Sequence, residues 1–470
     1  MLGFAACAAL ALVAAFAEPL RALVLACDLA FVGACAWDVF ATPRPDALTV
    51  RRRLPPNVGL DQDFARSLRI EAERAPRAAG LELSVHERFA PDLAVRARTV
   101  HEARAHGPGA PAPVAGVPRG LAAPAAGDPS GGPDVVRLPR AGPIDVVRVY
   151  RASRRGVHAL GDLRLRLVGP LGLVARQSRL AGGQEIEVRP AMLGLSRTLK
   201  LAASERWRDL GVRRLPRRGG RTEFESLREY VEGDDRRMVD WKATARRARP
   251  IVRQFQEERG QELVVVVDCG RRMGATSAPD EARASGVAGW TKLDHALDAG
   301  LQIAAVALTQ GDRAGVMAYD ANVRAWVPPA RGRGQLAKLE EAVFALQPSE
   351  KDSDLERALR ELGTRHRRRA LVLVLSDVAD PLSVERQRAA LAAGSSRHKI
   401  VFAGLDDPSL RAAAAGHEDA GLRAAAATLQ RERRGSLRSL GLAGVRVLDT
   451  LPAEAAAPLL AAWLAARREL

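Results

Sequence analysis

Residues 217–246 read RRGGRTEFESLREYVEGDDRRMVDWKATAR, and a little further on the apolar run Leu263–Val267 ends at Asp268. The first stretch is a turn-rich connector. Gly219 and Gly220 release the backbone into conformations that other residues resist, and Gly233-Asp234-Asp235 is turn chemistry. Asp234 and Asp235 stand beside Arg236 and Arg237, and Asp240 beside Lys242, as in a local network of charge-assisted hydrogen bonds. Tyr230, Trp241 and the glycine spacing argue for a fixed structure rather than a solvated charged loop, with Trp241 expected to be buried.

Downstream of the connector, short apolar runs alternate with helix-like stretches. The runs are Leu263–Val267, Arg313–Tyr319, Leu371–Leu375 and Lys399–Gly404; the helical patterns cover 293–309, 336–346, 355–362 and 383–393. Such alternation predicts a parallel sheet with helices on both faces. Ligands of such sheets sit at the carboxyl ends of the strands, which here carry Asp268 and Asp377, with Ser353-Asp354-Leu355 opening a helix between them.

Upstream, 48–190 shows the two-residue alternation of half-exposed strands, as in Leu68-Arg69-Ile70-Glu71 and Leu163-Arg164-Leu165-Arg166-Leu167-Val168. A Pro/Gly/Ala-rich loop at 107–133 interrupts it. The N-terminus is apolar from Leu2 to Ala17 and again from Ala22 to Phe40, broken by Glu18-Pro19-Leu20-Arg21. Two membrane helices joined by a tight turn fit this pattern, although the first is short for a hydrocarbon core of about 30 Å. A signal peptide cleaved at Ala34-Cys35-Ala36 is the rival, but no basic residue precedes the first apolar run. Asp28 costs about 2.5–3.5 kcal/mol at the centre of a span, so it is expected off-centre or against the first helix. Arg44, Arg51, Arg52 and Arg53 put the remainder in the cytoplasm by the positive-inside rule.

The bulk numbers narrow the function classes. The chain has 470 residues, 47% hydrophobic but 4% aromatic, and a net charge of +17. It is long enough for two or three cores. The arginines are scattered, without the aromatic interleaving on which bases stack, so nucleic acid is not an expected partner; attraction to anionic lipid accounts for the charge equally well. Four cysteines (Cys7, Cys27, Cys35 and Cys269) form no metal or disulfide pattern, and Cys269 reads as a small packing residue. There is no phosphate loop, no H-E-x-x-H and no G-x-S-x-G, and no residue is assigned a catalytic role.

The connector resembles the signature of the bacterial domain of unknown function 58 family, roughly G-x-E-F-x-x-L-R-E-Y-x-x-G-D-D-x-R-x-I-D-W-K-A-x-A-R. Glu223, Phe224, Leu227, Arg228, Glu229, Tyr230, Gly233, Asp234, Asp235, Arg237, Asp240, Trp241, Lys242, Ala243, Ala245 and Arg246 fall on that pattern. The likeness runs from about residue 20 to about 450. It includes Arg154-Arg155-Gly156-Val157-His158, with His158 where the family has Tyr, and Gly169-Pro170-Leu171-Gly172-Leu173. The strand ends in turn resemble a von Willebrand factor A domain, whose metal motif is Asp-x-Ser-x-Ser followed by a Thr and an Asp. Here Asp268-Cys269-Gly270-Arg271-Arg272 puts Gly270 and Arg272 on the two Ser positions, Ser353 on the Thr and Asp377 on the last Asp. Mg²⁺ wants near-octahedral oxygen ligands. Two lost hydroxyls and an added guanidinium favour a metal-free site in which Arg272 pairs with Asp268 or Asp377.

The expected architecture is therefore multi-domain, α/β plus β. A transmembrane helical hairpin covers 1–40, a β-sandwich-like domain 48–195, the connector 204–262, a von Willebrand factor A-like doubly wound domain 263–450 and a C-terminal helix 451–470. The family resemblance implies a protein of the bacterial inner membrane with its bulk in the cytoplasm, binding rather than catalysing, as a partner of MoxR-type AAA+ ATPases in protein assembly or maturation. A metal-dependent adhesion module and a cell-envelope enzyme are the alternatives.

Overall fold

The computed structural model describes residues 21–44, 47–72, 81–87, 93–102, 133–139, 142–192, 194–203, 223–230, 239–247, 249–256, 260–276, 289–332, 334–378 and 381–467. The first apolar run, the 107–133 loop apart from Pro133, and Gly233, Asp234, Asp235 and Arg237 of the signature lie outside these residues. The chain divides into two compact units, 1–189 and 190–470.

The first unit opens with helix α1 (Arg21–Ala41), of which Ala22–Ala41 is long and apolar enough to cross a membrane. Its 20 residues span about 30 Å at 1.5 Å per residue. Among the described residues eleven strands follow: β1 (Leu48–Arg53), β2 (Asn57–Gly59), β3 (Asp63–Ala72), β4 (Glu82–Glu87), β5 (Leu93–Glu102), β6 (Asp134–Arg137), β7 (Ile144–Ala152), β8 (Gly156–Leu160), β9 (Leu163–Val168), β10 (Ala175–Leu180) and β11 (Gln184–Arg189). Two antiparallel sheets, ordered β1-β3-β7-β5 and β10-β9-β4-β6, turn their apolar faces to one core that holds Leu68, Ile70, Val146, Leu83, Val85, Leu165 and Leu167. The alternation read in 68–71 and 163–168 is the inward–outward period of β3 and β9. A third sheet runs β2-β11-β8.

This core also holds charge. Arg66 and Arg148 share Asp134 at 3.1 and 2.7 Å, while Arg66 and Arg52 both reach Glu87 at 2.9 Å, all with side chains at most 3% exposed. Arg52 is thus committed to the interior and is not one of the surface cations that the N-terminal charge count assumed. Burial raises the Glu87 carboxyl above its ordinary value against the pull of Arg66 and Arg52, and drives the Tyr150 phenol up to about 12.

The second unit begins with α2 (Leu195–Ala203), the hairpin strands β12 (Glu223–Glu229) and β13 (Ile251–Gln256), and between them α3 (Trp241–Arg247). A mixed α/β layer follows: β14 (Glu262–Asp268), α4 (Lys292–Thr309), β15 (Arg313–Tyr319), β16 (Val323–Ala330), α5 (Gln335–Val343), α6 (Leu355–Arg365), β17 (Leu371–Ser376), α7 (Pro381–Ser395), β18 (Lys399–Leu405), α8 (Pro408–Gly416), α9 (Ala420–Gly441), β19 (Arg446–Thr450) and α10 (Ala456–Arg467). The six strands run β16-β15-β14-β17-β18-β19. All neighbouring pairs are parallel except β15–β16.

Every residue of β14 and β17 is buried, as strands covered on both faces must be. Val265 and Val267 face α4, α5 and α10; Val264 and Val266 face α6, α7 and α9. The C-terminal helix belongs to the first of these cores, through Leu459, Leu460 and Trp463.

Candidate functional site at the strand ends

β14 ends in Asp268, whose side chain the surrounding loops enclose, leaving the residue 4% exposed. One carboxylate oxygen accepts the Gly270 N–H at 2.7 Å and the Ser353 hydroxyl; the other accepts the Ser376 hydroxyl at 2.5 Å. The 269–271 turn is tied to the loop before α6, with Ser349 N–H on the Cys269 carbonyl at 2.7 Å and Arg271 N–H on the Lys351 carbonyl at 3.0 Å. Asp354 caps α6 by accepting the Arg357 N–H. Burial lifts the Asp268 carboxyl above its ordinary value, and the bonds from Ser353, Ser376 and Gly270 recover part of that cost. Cys269 is buried, in keeping with a packing role.

The structure brings Asp268 and Ser353 together and places Asp377 beside them at the end of β17. It corrects the role expected of Arg272. Among the described residues no ion pair joins Arg272 to either aspartate, and its neighbour Arg271 reaches Asp352 at the surface. The cations at the strand ends come instead from α4 and α9. Lys292 Nζ lies 2.8 Å from Asp377 and 3.6 Å from Asp407, with its side chain 3% exposed. Arg433 touches Asp377 at 3.2 Å, Asp406 at 3.1 Å and Asp449 at 2.9 Å, and donates to the Val378 carbonyl. Arg411 and Gln430 complete the shell of Asp406.

For Asp406, burial alone would raise the pKa. The Gln430 hydrogen bond and the charges of Arg433 and Arg411 more than reverse it, leaving the carboxyl below its ordinary value. Asp407 is likewise lowered against burial, by its bond from Ser409 and by Lys292. Sequence reasoning missed Lys292, Arg433, Asp406, Asp407, Asp449 and Ser376. The Asp406-Asp407 pair just beyond an apolar strand was the legible signal; Arg433 inside RERRG is not distinguishable from its neighbours.

A divalent ion does not fit this donor set. The hydroxyls at two motif positions are replaced, both Asp268 oxygens already accept hydrogen bonds, and Asp377 lies between Lys292 and Arg433. Position 270 is moreover closed to a side chain, because a Cβ there would lie 2.0 Å from Ser353 Oγ and 3.0 Å from the Lys351 carbonyl oxygen. Gly270→Ser, which restores one hydroxyl of the metal motif, is therefore expected to destabilise the protein by about 1–3 kcal/mol, as overpacking does. Denaturation of the purified chain checks this; unchanged stability would mean that the Ser353 loop yields freely.

The signature residues lie at the edge of the same unit. Glu223, Phe224, Arg228 and Glu229 are on β12 with Tyr230 just beyond it; Asp240, Trp241, Lys242 and Arg246 are at or on α3. Glu229 pairs with Arg249 at the surface. Asp240 is a helix cap, its carboxylate accepting the N–H groups of Lys242 and Ala243 at 3.1 and 3.0 Å. Trp241 is not buried as its setting predicted: it is 74% exposed. A residue directly after the cap starts the first turn, and here that turn directs its indole outward. In the first unit, His158 is buried and its Nε2 meets the Arg154 carbonyl oxygen at 2.8 Å, a structural contact.

An uncharacterized protein of Mycobacterium tuberculosis is 29% identical over 183 residues, which is 38% of this chain and 54% of the relative. The chain thus spans about half the length of the curated relatives it matches. Among solved structures, the conserved hypothetical protein BatB from Bacteroides thetaiotaomicron aligns at 12% identity over 45% of this chain and 100% of its own, with a TM-score of 0.29. An uncharacterized membrane spanning protein from Vibrio fischeri aligns at 16% identity over 44% of this chain and 98% of its own, with a TM-score of 0.15. Both likenesses are too slight to carry an argument. The sequence match is firmer: residues 226–413 match the model of the family described as "Protein of unknown function DUF58".

Proposed function

We propose that the chain is a membrane-anchored, non-catalytic binding protein whose α/β unit, of von Willebrand factor A-like build, engages a protein partner through the signature segment. The observation that carries this is Trp241, an indole 74% exposed on a helix start that Asp240 fixes by two hydrogen bonds. Tryptophan is among the residue types enriched at binding hot spots. The resemblance to the domain of unknown function 58 family supplies the partner class, a MoxR-type AAA+ ATPase. The apolar helix α1 supports an anchor, and the exposed Arg51 and Arg53 beyond it support a cytoplasmic location for the rest. The crowded, ion-paired strand ends support a metal-free mode of binding.

The test is Trp241→Ala in the full chain, assayed for capture of a MoxR-type ATPase from the same genome. Capture should fall at least tenfold, while stability changes by less than about 0.5 kcal/mol, as for a surface position. Undiminished capture would remove the signature from the interface. A large loss of stability would return Trp241 to a structural role.

A further inference from the structure

The motif Gly169-Pro170-Leu171-Gly172-Leu173 has no role in the strand-end site, yet the structure ties it to the end of α1. Asp38, fully buried, accepts the N–H groups of Leu171 and Leu173 at 2.9 Å and of Val174 at 2.8 Å. The loop is shaped for this contact. A Cβ at Gly169 would lie 2.4 Å from an Asp38 carboxylate oxygen, Gly172 has φ +71°, and the turn closes through Gly172 N–H on the Gly169 carbonyl. Arg176, three residues past the loop, donates to the Val39 carbonyl at 2.8 Å. The last turn of the apolar helix is therefore clamped to a rigid turn of the β unit.

Asp38 lies three residues before the end of α1, about 4.5 Å along the axis, so the loop sits level with Trp37 and Phe40. Those rings are exposed, and so are Leu171 and Leu173 on the loop, at 52% and 44%. An apolar patch continuous with a helix suited to a bilayer calls for an apolar cover. Tryptophan is enriched at the depth where a spanning helix leaves the hydrocarbon, and the exposed Arg44 just beyond α1 matches anionic headgroups.

We infer that the 169–173 loop is a second membrane contact: Leu171 and Leu173 enter the interfacial layer of the bilayer beside Trp37 and Phe40, and Asp38 holds them there, so the β unit stands on the membrane in one orientation. This rests on α1 being the anchor. The experiment places the photocrosslinker benzoylphenylalanine at position 29, 171 or 442 of the full chain in vesicles of phosphatidylcholine and phosphatidylglycerol. Lipid adducts are then measured; position 442, an exposed leucine of the other unit, serves as background.

Adducts at 29 and 171, each at least fivefold above 442, are expected. Asp38→Ala should cut the yield at 171 severalfold and leave that at 29 unchanged. Adducts at 29 but only background at 171 overturn the inference while leaving the anchor intact. Background at 29 overturns the anchor and this contact with it. A yield at 171 unmoved by Asp38→Ala overturns the clamp.

Discussion

Arg433→Met will lower the stability of the chain by about 3–5 kcal/mol, the range for breaking a buried ion pair from one side. Arg433 is the shared partner of Asp377, Asp406 and Asp449, and its side chain is 4% exposed. Methionine fills much of the volume and leaves the acids facing each other across the ends of β17, β18 and β19, with Lys292 and Arg411 as the remaining cations. The acid limb gives an independent reading. The folded-state pKa values of Asp406 and Asp407 are depressed, so the stability they contribute is fully present above the unfolded carboxyl value of about 3.9. It is lost as the pH falls through the lower folded value. Removing Arg433 takes away one of the charges that depress Asp406, so in the variant the acid loss should be smaller and complete at a higher pH. Denaturant midpoints across an acid series measure both effects. A loss under about 1 kcal/mol with an unmoved acid limb would mean that solvent, not Arg433, balances these acids.

Trp463→Ala is expected to cost about 3–5 kcal/mol, the cost of truncating a buried aromatic. The ring is 1% exposed in the core between the sheet and α4, and the Arg467 guanidinium lies 5.3 Å from its centroid. Trp463→Phe should cost markedly less. Equilibrium unfolding of the two variants separates the alternatives for 456–467: a helix integral to the α/β core, or a terminal appendage whose indole could be removed without consequence.

The central strands were legible because burial on both faces demands short, largely apolar runs: Leu263–Val267, Arg313–Tyr319, Leu371–Leu375 and Lys399–Gly404 coincide with β14, β15, β17 and β18 to within a residue at each end. The two edge strands were not. β16 contains Pro328 and Pro329, which break the strand pattern, and β19 is a five-residue segment with charges at both ends of its apolar pair. The strand-end aspartates could be read from their place after apolar runs. The cations opposite them could not, because nothing local marks which lysine or arginine of a polar helix turns inward. Trp241 failed for a related reason: its neighbours in sequence imply a network, whereas exposure depends on where the first turn of α3 points.

The prolines of β16 also bear on how the proposed membrane-anchored state would behave at high density. Pairing between β15 and β16 skips from Val316–Val327 to Ala314–Ala330, and the Gln335 amide donates to the Pro328 carbonyl at 3.1 Å. Two consecutive residues on this outer strand therefore offer no N–H, and one of their carbonyls is already engaged. An incoming strand from a neighbouring molecule would find the ladder interrupted and the register irregular. Chains anchored as proposed would share a two-dimensional surface at high local density, where an open sheet edge would seed polymerisation; this edge is built to end the sheet.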